Sequence, residues 1–281
     1  EGGHMIEDSL KYLDSLFKRG VRYMTLTWNN STSWASSAAD EAHPNPRPTD
    51  SSGRAPGERA LKDSAKQKGL NELGKQVVRR MNELGMLIDL SHVGEQTFWD
   101  AIAITTKPVI VSHSCVYNLC PHRRNLKDDQ IKAVGKNGGV IHLNFYSGFL
   151  DSNYAKRKQS FDKTHARELD SLKLLKRQDF EIDFWMARKY PREVQSLRPP
   201  LSLLLDHLDY IVKMIGVDHV GLGSDFDGIE SAPQELNDVT DFPLITKGLM
   251  ERGYSKREIK KILGDNFLRI FKANSKDLTG F

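Results

Sequence analysis

The feature that most limits what this chain can fold into is a rhythm. Short runs of aliphatic and β-branched residues alternate with longer segments whose apolar residues recur every three or four positions. Runs apolar throughout are strands buried on both faces, and such strands separated by helices form parallel β/α units. Residues 5–19 place Ile6, Leu10, Leu13, Leu16 and Phe17 at helical spacing, and Gly20 ends this helix before a strand over 21–27. A helix over 70–84 stops at Gly85 ahead of the strand 86–91, which ends in His92. A helix over 95–104 leads through Pro108 to the strand 109–112, ending in His113. Helices over 128–136 and 201–215 feed strands over 139–145 and 219–224, the last ending in Asp225. Helices near 241–252 and 255–273 finish the chain.

Five strands in this order read as the later part of a (β/α)8 TIM barrel, with three more strands expected before or overlapping Glu1. The 281 residues, 38% of them hydrophobic, match the about 250 that one such barrel needs, so residues 1–281 are expected to be a single domain. Two segments break the rhythm. Residues 28–68 are rich in Asn, Ser, Asp and Pro, including Pro44, Pro46, Pro48 and Pro56, and are predicted to be a long loop. Residues 150–195 are charged and predicted to be a helical insertion.

Composition removes several function classes. Lys plus Arg number 41 against 37 Asp plus Glu, a net charge of +4 without any long basic run, too diffuse for a nucleic-acid surface. Cys115 and Cys120, the only cysteines, support neither a disulfide framework nor a Cys-rich zinc module and are read as free thiols. No run approaches the roughly 18 apolar residues of a transmembrane segment.

In a parallel barrel all strand C-termini converge on one rim, where active sites are assembled from different units. His92 and His113 stand 21 residues apart, one β/α repeat, so adjacent strands bring both imidazoles to that rim. Imidazole nitrogen and carboxylate oxygen are the ligands zinc takes in hydrolytic sites. Asp225 lies in Gly223-Ser224-Asp225-Phe226-Asp227-Gly228, a tight turn that offers a carboxylate for general acid/base work. Asp227 is assigned to the turn itself.

Several motifs carry a resemblance together: Glu1-Gly2-Gly3-His4, Leu26-Thr27, Ile88-Asp89-Leu90-Ser91-His92, Val111-Ser112-His113-Ser114, Arg123-Arg124-Asn125, Asn144-Phe145-Tyr146, the Gly223–Gly228 segment, and Gly264-Asp265-Asn266-Phe267-Leu268-Arg269. In that order they resemble the membrane dipeptidase (renal dipeptidase) family of zinc metallopeptidases, over nearly the whole chain. The resemblance implies a barrel of the metal-dependent hydrolase type. It also implies two zinc ions, with an early His-x-Asp on one, a glutamate bridging both and two histidines completing the second. Glu1 matches the bridging glutamate, His92 and His113 the two histidines, and Asp225 the acid/base aspartate. Arg124 matches the arginine that grips the dipeptide's terminal carboxylate, a role that suits a planar, bidentate fork of donors. Trp28, Asn29 and Tyr146 are expected to contact the substrate.

The sequence departs from that pattern twice. No His-x-Asp precedes Glu1, so one zinc site at best is expected in this chain, which reads as part of a longer gene product. Trp28 stands where some family members have a histidine; its indole donates one hydrogen bond and carries no charge.

The implied activity is hydrolysis of dipeptides by a hydroxide bridging the metals. The alternatives are another amidohydrolase of lactonase or phosphotriesterase type, or an inactive barrel acting as a binding protein. A homodimer is compatible with the sequence, and export is expected if a signal peptide precedes Glu1.

Overall fold

The computed structural model describes residues 1–42 and 68–275. Five strands, β1 (Tyr23–Thr25), β2 (Leu87–Asp89), β3 (Ile110–Val111), β4 (Val140–Asn144) and β5 (Val220–Ser224), form one sheet in sequence order. All four pairings are parallel. Strands that neighbour each other in sequence order, each joined to the next through helices, are what consecutive β/α units produce, and the α/β class expected from the rhythm is the one observed.

Register assigns the two faces of the sheet. Asp89 pairs with Ile110 and Ile110 with Val140, which places Leu87 and Asp89 on the same face as both. Ile88, Val111 and Ile141 point the other way, into the main core with Met81, Phe98, Ile131 and Leu208 from the surrounding helices. On the first face, Leu87, Ile110 and Val140 pack against Ile270 of the C-terminal helix Asn266–Asn274. That face is apolar toward the strand N-termini, while its C-terminal end carries the buried polar residues Asp89 and Asn144. Each fully buried aliphatic side chain contributes about 1.5–3 kcal/mol, so the apolar end anchors the sheet and leaves the other end for chemistry.

Local chemistry explains where the predicted elements hold and where they shift. The helix Glu72–Leu84 starts where the Asn71 side chain accepts the Gly74 N–H and ends at Gly85, left-handed at φ 84°. The helix predicted over 5–19 is instead a 3-10 turn, Gly3–Ile6, followed by the helix Leu10–Lys18. Glu7 and Asp8 take left-handed conformations, φ 46° and 57°, which the α-helix does not tolerate. The helix predicted over 255–273 is likewise split, into Lys256–Lys260, a π-helical turn over Lys261–Asp265 and Asn266–Asn274, because Gly264 leaves the helical conformation.

Of the long loop predicted over 28–68, residues 43–67 lie outside the described residues. The described part corrects the prediction, since Ala38–Ala42 is a short helix and Trp34 is fully buried in the main core. The stretch predicted as a helical insertion holds Tyr154–Thr164, Ala166–Leu174, Asp179–Lys189 and Pro191–Leu197. These helices gather an apolar cluster of their own around Phe161, Leu172, Ile182 and Met186.

One buried histidine ties the sheet's surroundings together. His207, on the helix Leu201–Ile215, accepts the Val116 N–H at Nδ1 (3.1 Å), and its Nε2 donates to the Leu150 carbonyl (3.1 Å). Burial pushes its pKa down to about 4, although the bond to Leu150 and the Asp206 charge oppose this. Because the unfolded histidine takes up its proton first, near pH 6.5, this stabilisation is complete above that pH and is lost as pH falls from 6.5 toward 4. The slope is up to about 1.4 kcal/mol per pH unit for one such group. Denaturation midpoints at pH 7.5 and pH 5 are expected to lie closer together in His207→Gln than in the parent chain. Equal pH dependence in the two proteins would contradict that assignment.

Candidate metal centre and anion site

Glu1, His92 and His113 meet although they lie far apart in the chain. Glu1 Oε1 is 2.8 Å from His92 Nε2 and 3.1 Å from His113 Nε2, and the two Nε2 atoms are 2.9 Å apart. Three local devices bring them together. Gly3 sits under the Trp34 ring and the Leu26 carbonyl, where an added Cβ would come within 2.4 Å of ring carbon, so only glycine lets the N-terminal segment approach this closely. His92 leaves β2 in a left-handed conformation (φ 65°), and its carbonyl is held by the Ala38 N–H at 2.8 Å. Gly223 on β5 lies against the Ser112 carbonyl, which would be 2.3 Å from a Cβ, and this brings the end of β5 against the end of β3.

The three donor atoms fit a divalent cation. Tetrahedral zinc with bonds of about 2.0–2.1 Å separates its ligand atoms by roughly 3.3 Å, a small expansion of the observed triangle. A carboxylate oxygen and two imidazole nitrogens are also the donor types that zinc takes in hydrolytic sites. The electrostatics suit ligation as well. Burial works against ionisation of the Glu1 carboxyl, but hydrogen bonds and charge from His113 and His92 outweigh it and hold the pKa well below the usual carboxylate range. Burial lowers His92 to about 4, against the pull of Glu1 and with help from the Arg124 charge. At neutral pH the geometry therefore presents an ionised carboxylate beside a neutral His92.

Asp225 and Arg124 flank this cluster without joining it. Asp225 Oδ2 accepts from Asn144 Nδ2 at 2.9 Å, and burial raises its pKa, with the Glu1 charge adding and His113 and Arg124 opposing. Ser224 and Asp225 are left-handed (φ 47° and 81°), the local strain that turns the carboxylate out of the strand, and the Asp225 carbonyl accepts the Gly228 N–H. Asp227 belongs to the same turn.

Arg124 is buried, 7% exposed, with Nη1 donating to Ser114 Oγ at 3.3 Å and Nη2 to the His113 carbonyl at 3.2 Å. Its guanidinium stands 5.5 Å from the centre of the Phe149 ring. Burial lowers its pKa to about 10, offset by Asp89, Glu1 and Asp225, so it stays cationic at neutral pH. Among the described residues no carboxylate lies within ion-pair distance of it. A buried cation with donors to spare and no anion is costly unless a ligand supplies one. A cavity of about 360 Å³ opens beside it, lined also by His92, Ser114, Phe98 and Lys127.

The other residues assigned to substrate contact are placed as follows. Trp28 is 45% exposed and lies over Gly2. Asn29 is exposed, and its carbonyl accepts from Ser37 Oγ. The Tyr146 hydroxyl donates to Glu230 Oε1 at 2.6 Å, and its ring meets Phe149 edge-on. Burial, with the Glu230 charge, raises the Tyr146 pKa far above the ordinary phenol value.

Sequence reasoning passed over Asp89, Ser112, Asn125 and Asn144 as site residues. Asn125 fixes the Arg124 loop by accepting the Cys115 N–H and donating to the Cys120 and Phe149 carbonyls. The available signal was the presence of small polar residues at the C-terminal ends of strands otherwise buried on both faces.

Comparison with known proteins places the chain in a family. The sequence profile described as membrane dipeptidase (peptidase family M19) matches residues 1–278. An uncharacterized dipeptidase of Schizosaccharomyces pombe is 32% identical over 273 residues, 97% of this chain and 51% of that protein, so the chain spans about half the length of this relative. The structure of a probable dipeptidase from Pseudomonas aeruginosa superposes with a TM-score of 0.72 at 28% identity, covering 98% of this chain and 68% of that one. A metallo peptidase from Rhodobacter sphaeroides, solved with a phosphinate mimic of the dipeptide L-Ala-D-Ala, shares the fold at TM-score 0.70 and 23% identity, over 98% of this chain and 62% of its own. The profile match over nearly every residue, together with the Schizosaccharomyces relative, shows that the chain belongs to the membrane dipeptidase family, peptidase family M19.

Proposed function

We propose that this chain carries the metal-binding and carboxylate-binding parts of a zinc-dependent dipeptidase. One observation carries the reading: a carboxylate and two imidazoles converge within 4.8 Å of one another beside Arg124, a buried cation lacking an anionic partner among the described residues. Glu1, His92 and His113 would hold one zinc ion, whose chemistry there is to activate water and polarise the scissile carbonyl. The chain's own groups supply the rest. Arg124 anchors the free carboxylate of the C-terminal residue in the cavity, which fixes the peptide bond relative to the metal ligands. Asp225 takes the proton from the attacking water and delivers it to the departing amine. Trp28, Asn29 and the Tyr146 ring border the substrate. The dipeptide mimic bound by the Rhodobacter protein supports a dipeptide ligand here and makes a D-configured C-terminal residue acceptable.

Arg124 separates this reading from that of a lactonase or phosphotriesterase, because only a substrate with a terminal carboxylate uses it. The test compares hydrolysis of a dipeptide with that of its C-terminal amide, in the zinc-loaded parent chain and in Arg124→Met. Charge-assisted hydrogen bonds of about 1.5–3 kcal/mol predict a preference of roughly 10- to 150-fold for the free carboxylate, lost in the variant. Equal rates on both substrates in the parent chain would refute the dipeptidase reading, and absence of any zinc binding would favour the inactive binding protein.

A further inference from the structure

Asp89 is fully buried at the end of β2, and its carboxylate accepts four hydrogen bonds. They come from Thr25 Oγ1 and Ser112 Oγ at 2.6 Å each and from the Ser91 and Ser112 N–H groups at 3.0 Å each. We propose that Asp89, acting through Ser112, is a positioning residue that sets which ring nitrogen of His113 faces the metal, an inference that rests on reading the Glu1–His92–His113 cluster as a metal site.

A serine hydroxyl has a single proton to donate. At Ser112 that proton goes to the carboxylate of Asp89 at 2.6 Å rather than to Ser91 Oγ at 3.3 Å, since the shorter bond is also charge-assisted. Ser112 Oγ is then left with lone pairs only, and it faces His113 Nδ1 at 2.7 Å. The hydrogen in that contact must come from the imidazole. Nδ1 therefore carries the ring proton and Nε2 keeps its lone pair, 3.1 Å from Glu1 Oε1 and 2.9 Å from His92 Nε2. The backbone is fixed from the same side, because the His113 N–H donates to Ser91 Oγ at 2.9 Å. Asp89 thus joins β1, β2 and β3 through side chains just below the rim and passes that rigidity to one imidazole.

His92 has no such support. Among the described residues its buried Nδ1 has no hydrogen-bond partner. Of the two imidazoles, His113 has its tautomer and ring orientation set before an ion arrives, and His92 adjusts to the ion. Removing such an outer partner weakens metal binding by roughly 10- to 100-fold.

The experiment uses the full chain and the variants Ser112→Ala, Ser112→Thr and Thr25→Val. The last removes another of the hydrogen bonds to Asp89 without touching His113. Long-range ¹H–¹⁵N spectra of the metal-free proteins read the His113 tautomer, and competition with a chelator reads zinc affinity. The parent, Ser112→Thr and Thr25→Val are expected to show the Nδ1–H tautomer and similar affinity. Ser112→Ala is expected to lose that tautomer and to bind zinc roughly 10- to 100-fold more weakly. The proposal is overturned if Ser112→Ala keeps the Nδ1–H form or parent-like affinity, or if Thr25→Val weakens zinc equally, since the effect would then be general loosening of the strand ends. A parent chain that shows the Nδ1–H tautomer but neither binds zinc nor cleaves dipeptides upholds the relay and refutes the dipeptidase reading.

Discussion

Replacing His113 by alanine is expected to weaken zinc binding by roughly 10²- to 10³-fold, on the basis that structural sites with four ligands bind zinc with about 10–16 kcal/mol, or about 2.5–4 kcal/mol per ligand. His113 is the ligand to remove because its Nε2 lies within 3.1 Å of both other donor atoms. The two that remain, Glu1 Oε1 and His92 Nε2, are one short of the three protein ligands that hold a hydrolytic zinc. Stability linkage gives a second readout. At a free zinc concentration 100 times the parent's dissociation constant, binding stabilises the fold by about 2.7 kcal/mol, and for a chain of this size each kcal/mol moves Tm by roughly 2–4 °C. Zinc should therefore raise the parent's Tm by roughly 5–10 °C and leave that of His113→Ala almost unmoved at the same concentration. In chelator the two proteins should melt close together, because the variant removes a rim side chain rather than core. A His113→Ala protein that retains parent-like zinc affinity would show that the cluster is not the metal site.

The same cluster shows what sequence can and cannot express. His92 and His113 were legible because each follows an apolar strand and the two are one β/α repeat apart, so strand direction alone places them on one rim. Glu1 was not legible that way. It precedes every predicted element, and only the family resemblance singled it out. Its position depends on the fit of Gly3 beneath Trp34, a tertiary contact with no periodic signature. Asp89 and Ser112 stood inside recognised motifs but read as ordinary strand residues, because their importance lies in the hydrogen bonds between strands. The split of the first helix has a similar origin, since Glu7 and Asp8 adopt left-handed conformations in a segment whose apolar spacing is consistent with one continuous helix. Tyr146 was expected at the substrate, and its ring stands among Phe149 and Tyr154 while its hydroxyl is committed to Glu230. The proton of its hydroxyl is therefore not available to a substrate.

Asp225→Asn is expected to lower kcat by roughly 10²- to 10⁴-fold while leaving zinc affinity and KM close to the parent's, the signature of a lost proton-transfer group. Geometry favours a clean result. Asparagine has the same shape, its side-chain carbonyl can accept the Asn144 Nδ2 hydrogen bond that Asp225 Oδ2 now accepts at 2.9 Å, and neither residue is among the three candidate metal ligands. The pH profile adds an independent readout. Burial raises the Asp225 pKa above its ordinary 3.8, and in the proposed reaction the ionised form is the base. The parent's rate should thus rise with pH through a value above 3.8, as the carboxyl gives up its proton. In Asp225→Asn nothing titrates at that position, so the acid limb due to this group disappears and whatever residual rate remains follows only the metal site. A variant with unchanged kcat and an unchanged acid limb would move the acid/base role to another residue and leave Asp225 as the carboxylate that anchors Asn144 at the end of β4.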